Sequence, residues 1–450
     1  MNSYHVLNKF TVDVNITENP YGFQQQELFD MAMRINKKRS FLFVSKVLGK
    51  HLAVRPQVPI LISHLLAHRY GEVREDLLVE TTDLIVKALK QGENFFETLQ
   101  LIQKHPIQSK KSLRIIGFAE TATALGHAFF DAFSGDVRYA HTTREQLIGQ
   151  KPIITFEEEH SHASRHRLYS APDFFEGNVE VVLVDDEMTT GKTNQNIIRQ
   201  LVKAFPHIKE YTLVSILDWR DEDNVRDLVE LAQELEIEIH AVSILQGQFK
   251  LTIHEDLIET ESLTKSTSQA TVIEAQSFEE ALSYDLRECQ SVNEEGQSCE
   301  ANYYMGTGRF GCTVVEKEQY MNRLQPIGNA LKAMRMGKKS LVLGTGEFMY
   351  IPMVLATQMG ENVYYHSTTR SPIYAHEDST IYEKISFKSP EFQGVTNYLY
   401  NLSQQEYDEI FVFFERIVDQ DALNGLISQL QRFAKQVRVL TLGGKAVVKV

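Results

Sequence analysis

The sequence predicts an α/β protein in which a parallel sheet carries helices, followed by a second α/β domain. Two observations carry that reading. Short apolar runs recur, each leading through a glycine-bearing turn into helical spacing, as in "LRIIGFAETATALGHAFFDAF" (113–133) and "VVLVDDEMTTGKTNQNIIRQLVKAF" (181–205). A similar set returns near the C-terminus, "KKSLVLGTGEFMYIPMVLATQMGENVYYHSTTRSPI" (338–373) and "YDEIFVFFERIVD" (407–419). With 450 residues the chain is also too long for one compact core, so two domains are expected.

Composition narrows the function classes. The 43% hydrophobic and 24% charged residues are those of an ordinary globular protein. A formal charge of −14, from 46 basic and 60 acidic residues, argues against a general nucleic-acid binder, whose phosphate contacts need a basic face. No run approaches ~18 uncharged apolar residues, so no membrane helix is expected. The opening "MNSYHVLNKFTVDVN" lacks the apolar core of a signal peptide. Three widely spaced cysteines, Cys289, Cys299 and Cys312, fit a reducing, cytoplasmic setting and fall one ligand short of a zinc site.

Taken in order, "FLFVSKVLGKHLAVRP" (41–56) carries Lys46, Lys50, His51 and Arg55 on an apolar segment. It reads either as a helix with a solvated basic edge or as a hood over an anionic substrate. Residues 61–100 have helical spacing, with Arg69 and Arg74 as surface charges. The strand opening 113–133 ends in Gly117-Phe118-Ala119-Glu120-Thr121-Ala122-Thr123. Such a loop at the carboxyl end of a parallel strand is where α/β sheets bind ligands. The strand at 136–147 carries Thr142-Thr143-Arg144. The next segment, "TFEEEHSHASRHRLYS" (155–170), is loop-like and dense in charge, and its His160, His162 and His166 have a spacing that could hold zinc.

The stretch 181–193 carries the sharpest chemistry. Its GKT ending suggests a nucleotide-binding P-loop, but that loop needs glycine five places before Gly191, where Asp186 stands. What remains is a buried strand at 181–184, an acidic pair, Asp185 and Asp186, and the turn Thr189-Thr190-Gly191-Lys192-Thr193, which opens a helix near Asn194. Backbone N–H groups at such a helix start bind an anion. The threonine hydroxyls add donors, and Gly191 permits close backbone approach. The aspartates just upstream could hold a vicinal diol with its bound metal. A phosphate at one end and ribose hydroxyls at the other describe a ribose 5-phosphate.

Apolar strand, two acidic residues, two variable positions, then T-T-G-x-T: this order resembles the 13-residue signature of type I phosphoribosyltransferases. The resemblance implies that family's parallel-sheet fold and a transfer from phosphoribosyl pyrophosphate, with Mg²⁺ as cofactor and small-molecule substrates. Asp185 and Asp186 would serve the ribose and the metal, and Thr189, Thr190, Gly191, Lys192 and Thr193 the 5-phosphate. Gly117, Ala119, Glu120 and Thr121 fall in the pyrophosphate loop, with Arg144 as a further contact. Glu120 departs from the usual small or basic residue, because a carboxylate beside pyrophosphate is repulsive unless bridged. The segment 155–170 takes the place of the flexible catalytic loop, with His160, His162, Arg165 and Arg167 as its cations. Trp219, at the ligand end of the strand 210–220, is either a base-stacking platform or a core residue. Phe41, Phe118 and Trp219 are acceptor-pocket candidates that do not distinguish one acceptor from another. Two other classes stay open: a non-catalytic sensor of phosphoribosyl pyrophosphate that regulates a partner, and a zinc hydrolase built on the three histidines.

The Ser/Thr-rich "TESLTKSTSQATVIEAQS" (260–277) marks a change of composition. The domains are therefore expected at 1–260, with the hood, and 301–450, with a linker at 261–300. Set against 110–147, the segment 338–373 repeats KKSL, a glycine followed by a glutamate (Gly117 and Glu120; Gly344 and Glu347), and a strand ending in TTR (Arg144; Arg370). We read this as a degenerate internal repeat without the Asp-Asp and T-T-G-x-T pieces. Arg370 and Glu347 are expected to share its crevice, with Arg370 as an anion contact. Thr369-Arg370-Ser371-Pro372 resembles the TRSP domain of a bacterial family linked to tellurite resistance and stress. That resemblance implies synthesis of a nucleotide or nucleoside-like metabolite, and it leaves room for a homodimer and for partner enzymes of the same stress pathway. The glycine-rich "YYMGTGRFGCT" (303–313) reads as a flexible connection.

Overall fold

The computed structural model describes residues 2–35, 40–157, 165–254, 272–292, 296, 298–404 and 407–444. Five parallel strands form the centre of the larger sheet, in the order Glu238–Ile253, Glu210–Asp218, Glu180–Met188, Leu113–Gly117 and Val137–Thr143. Both faces of this centre are covered, which is why 181–184 is an unbroken apolar run with at most 1% exposure. The helix Lys192–Ala204 buries Ile197, Ile198 and Leu201 and turns its lysines and arginine outward. On one edge the hairpin Asn2–Val6 and Phe10–Glu18 adds antiparallel to Glu238–Ile253. On the other edge Arg165–Leu168 pairs with Val137–Thr143 and with Ile154–Glu157, so the flanks of the expected loop are strands.

The smaller sheet is parallel throughout: Val272–Ser277, Ala434–Thr441, Tyr407–Phe414, Ser340–Gly344 and Val363–Ser367. Its last four strands follow the same spatial order as Glu210–Asp218, Glu180–Met188, Leu113–Gly117 and Val137–Thr143 in the larger sheet. One apolar cluster joins the two, with Phe129 and Tyr139 from the first and Phe348, Tyr350 and Phe411 from the second. A shared core of this kind resists separation, unlike the polar, modest interfaces common between domains of one chain.

Four expectations need correction. The stretch expected as a linker contains Val272–Ser277, an edge strand of the smaller sheet, and Leu286–Val292, which pairs with Ser298–Tyr304 and with Gln146–Leu147. Residues 261–271 of it lie outside the described residues. The segment 41–56 opens with a strand, Phe41–Ser45, paired with Phe29–Met33, and not with a helix. Both its faces are buried, Phe41 and Phe43 in one cluster and Leu42 and Val44 in another, which hides the period of two in the sequence. Arg74 is not a free surface charge: it reaches the buried Glu180 (3.3 Å) and Glu210 (3.2 Å) from the helix Gln57–Glu75. Finally, 303–313 is no loose connection, because Arg309 in it is 1% exposed and ion-paired in the core.

Candidate active site

The carboxyl ends of the central strands open into a cavity of about 420 Å³. Glu180–Met188 brings Asp185 and Asp186 to its floor and then delivers Thr189, Thr190, Gly191, Lys192 and Thr193 along one wall. Gly191 has φ +74° and caps the helix that starts at Lys192, a left-handed backbone that disfavours a side chain. The neighbouring strand Leu113–Gly117 leads into Phe118, Ala119, Glu120 and Thr121, which also line the cavity. This loop is fixed from both sides: Phe118 N–H donates to Val184 O (3.2 Å) and Ala119 N–H to Thr142 Oγ1 (2.9 Å). The Ala119–Glu120 peptide bond is cis. Beyond the end of Val137–Thr143 stands Arg144. The hood closes the top with Phe43, Lys50 and His51.

The site concentrates titratable groups with shifted pKa values. Burial, and then the adjacent Asp186 carboxylate, push Asp185 well above the usual carboxylate range. Lys50 Nζ lies 3.1 Å from Asp186 Oδ2, so the hood brings a cation to the acidic floor. Burial, and next the neighbouring Lys50, hold His51 well below the ordinary imidazole value, which leaves it neutral. A crowded acidic pair with one lysine is charge waiting for a cationic or hydroxyl-rich ligand. Its oxygen donors also suit Mg²⁺, which takes one or two carboxylates and completes its shell with substrate and water. Among the described residues no cluster of three His, Cys, Asp or Glu could hold a metal by itself.

Most of the residues singled out in the sequence meet here, but four do not behave as expected, and Trp219 takes the core one of its two readings. Trp219 is 3% exposed and stacked on Phe43 at 4.7 Å between centroids, edge-on to Phe29. It braces the hood residue that lines the cavity and is no platform itself. Gly117 is a packing glycine: a Cβ there would stand 2.4 Å from Ala122 O. Arg165 points to solvent beside Glu157 (3.6 Å), whereas His166 lines the cavity. Glu347 is buried away from any crevice and accepts from Thr143 Oγ1 (3.0 Å) and Arg144 N–H (3.2 Å). Arg370 faces the cavity of the first domain and not a crevice of its own, with Nε 3.2 Å from Glu120 Oε1. His160 and His162 lie outside the described residues. Ser371 enters the cavity with the T-R-S-P motif, whereas Arg34 and Met188, missed from sequence, carried no local signal.

Residues 28–248 match the model of a phosphoribosyl transferase family, and residues 306–430 match the TRSP domain that lies C-terminal to that transferase. The chain therefore carries a phosphoribosyl transferase domain followed by a TRSP domain. No curated protein matches it significantly. Among solved structures, the adenine phosphoribosyl transferase of Trypanosoma brucei, in complex with AMP, pyrophosphate and ribose-5-phosphate, is 16% identical with a TM-score of 0.22. The match covers 33% of this chain and 64% of that one, less than two thirds of its length. The adenine phosphoribosyltransferase of Rhodothermus marinus is 15% identical over 35% of this chain and 83% of that chain, with a TM-score of 0.23. For a hypoxanthine phosphoribosyltransferase of Staphylococcus aureus the values are 12%, 39%, 70% and 0.20. The fold of this chain rests on its own strand order and on the family models. No helix among its described residues is long and apolar enough to cross a membrane.

Proposed function

We propose that this cavity binds phosphoribosyl pyrophosphate and transfers its phosphoribosyl group to a nucleophile. The observation that carries the reading is the order of chemistry along the sheet edge. A phosphate-binding turn follows Glu180–Met188, an amide-bearing loop follows the adjacent Leu113–Gly117, and Arg144 follows the next strand, Val137–Thr143. Neighbouring strands lie about 4.8 Å apart, so these three stations span the distance from a 5-phosphate, across a ribose, to a pyrophosphate. Thr189, Thr190, Gly191, Lys192 and Thr193 anchor the 5-phosphate, and this remote grip fixes the position of C1. Asp185 and Asp186 orient the ribose hydroxyls and place negative charge near C1 as it becomes oxocarbenium-like. The bond from C1 to the pyrophosphate oxygen breaks with its electron pair on pyrophosphate. The nucleophile then forms its bond to C1 and releases its proton to water or to a base.

Mg²⁺, held through Asp185 and Asp186 with the substrate's own oxygens, would supply neutralising charge for the pyrophosphate. The hood residues Leu42 and Phe43, with Phe118 and Met188, give the acceptor an apolar side of the cavity. The product is then a nucleotide or a nucleotide-like metabolite. The deciding experiment incubates the full chain with phosphoribosyl pyrophosphate, Mg²⁺ and a panel of nitrogenous acceptors, reading pyrophosphate release and product mass. Release that depends on one acceptor class is the expected result. Tight binding of phosphoribosyl pyrophosphate without turnover on any acceptor would favour the sensor reading instead.

A further inference from the structure

The T-R-S-P segment is built into the wall of the transferase cavity. Thr369, Arg370 and Ser371 all line it, although they belong to the second domain. The segment is held firmly on two sides. Thr369 exchanges backbone hydrogen bonds with Tyr398 (3.1 and 2.8 Å), and Tyr400 Oη donates to Ser371 O while accepting from Ile373 N–H. Toward the hood, Ile35 N–H donates to Pro372 O and Tyr374 N–H to Met33 O, both at 2.9 Å. Hood and T-R-S-P segment therefore form one continuous backbone-bonded wall.

Within that wall the Arg370 guanidinium is sandwiched. Its Cζ lies 5.0 Å from the centroid of the Phe392 ring, and its Nε lies 3.2 Å from Glu120 Oε1, in the loop after Leu113–Gly117. Neither Nε nor that carboxylate oxygen makes a hydrogen bond, although both are buried. The two atoms are in charge contact without hydrogen-bond alignment, which leaves their bonding capacity to a third group. Guanidinium carries five N–H donors, and its Nη edge matches a phosphate in bidentate fashion.

We propose that Arg370 is a ligand for the pyrophosphate group of phosphoribosyl pyrophosphate, so that the transferase site is complete only with the second domain. This rests on the transferase reading above. The position follows from Glu120, which sits in the loop assigned to pyrophosphate, after the strand adjacent to the one that carries the 5-phosphate turn. Glu120 serves as the placeholder: it holds Arg370 in the empty site and competes with the incoming anion for it. That accounts for a carboxylate in a loop whose function would otherwise exclude one.

Calorimetry on the full chain tests this, with pyrophosphate, phosphoribosyl pyrophosphate and ribose 5-phosphate as separate ligands in the presence of Mg²⁺. Arg370→Ala should bind the first two about 10- to 100-fold more weakly and ribose 5-phosphate within about twofold of wild type. Arg370→Lys should recover only part of the loss, because lysine lacks the planar fork. Glu120→Gln should tighten pyrophosphate binding by removing the competing charge. Unchanged pyrophosphate affinity in Arg370→Ala overturns the inference, and so does an equal loss for all three ligands, which would make Arg370 a prop for its loop. Wild type that binds ribose 5-phosphate but not pyrophosphate overturns this inference alone. Wild type that binds none of the three overturns the transferase reading with it.

Discussion

The two sheets present the same strand order but opposite solutions at their carboxyl ends. In the first, the ends of Glu180–Met188 and its neighbours open into a cavity with half-buried acids, hydroxyls and a lysine. In the second, the corresponding strand Tyr407–Phe414 runs into Glu415 and Arg416, and the space is filled by charge that has already found partners. Arg309 donates to both oxygens of Glu415 at 2.8 Å and to Glu347 at 3.3 Å, and Arg416 pairs with Glu145 and Glu415. Arg309, Glu415 and Arg416 are at most 2% exposed. Burial works against ionising Glu347, yet Arg309 and then His141 hold it down at about 2. Small features are common to both: Tyr139 Oη donates to Thr123 O and Tyr365 Oη to Met349 O, while the hydroxyls of Thr142 and Thr368 accept from the loops at 119 and 346. The same frame thus serves either a ligand or itself, depending on whether its buried charges are left incomplete or satisfied.

The largest expected effect would break the comparison outright. Asp185→Asn with Asp186→Asn should lower pyrophosphate release by about 10³-fold or more. The melting temperature should stay level or rise, because a buried carboxylate pushed up in pKa costs stability. Wild-type turnover in that variant would mean the first cavity is not where the chemistry occurs. In the second region the effect should appear in stability instead. Arg309→Ala strands Glu415 and Glu347 in the core and should cost about 3–5 kcal/mol in urea denaturation, and a loss under ~1 kcal/mol would show that the sealed crevice is wet.

Two smaller effects sharpen the contrast. Thr190→Val should weaken ribose 5-phosphate binding by ~1–3 kcal/mol, the cost of one hydrogen bond to a charged group, without touching the fold. Glu391 lies beside the sealed network, where burial, partly offset by Arg416, raises it from 4.5 to about 8. The folded chain keeps this proton where the unfolded chain has released it. Its contribution to stability is therefore complete below pH 4.5 and is lost as pH rises through about 8. Glu391→Gln should flatten that limb of the stability curve, and an unchanged slope between those pH values would place the titration elsewhere.

The parts of this site that lie close together in the sequence were legible there. Residues 181–193 form one strand, turn and helix start, so their chemistry and their geometry are encoded in one stretch. The parallel frame was legible for the same reason, since each strand, loop and helix is local. Glu120 stands out in the sequence as a carboxylate in an anion-binding loop, but its reason lies in its partner Arg370, 250 positions away. The sequence leaves Trp219 open because a strand end can face ligand or core, and the aromatic packing of Phe29 and Phe43 settles it. Arg309, in a glycine-rich stretch that resembles a loose loop, becomes the anchor of a buried network through carboxylates from the far end of the chain. Local composition carries no trace of such a partner.

The wall shared by hood and T-R-S-P segment has a consequence for synthesis. Arg34 and Ile373, which form a β-bridge, are separated by 339 positions. At about 5–20 residues per second, roughly 20 to 70 s pass between the emergence of one and of the other from the ribosome. Through that interval the hood hairpin has an unpaired edge and an apolar underside, the kind of surface that recruits other chains. The nascent chain therefore needs shielding for its first half until the second arrives, and its yield in a cell should depend on holdase chaperones more than that of a transferase whose site is finished within one domain.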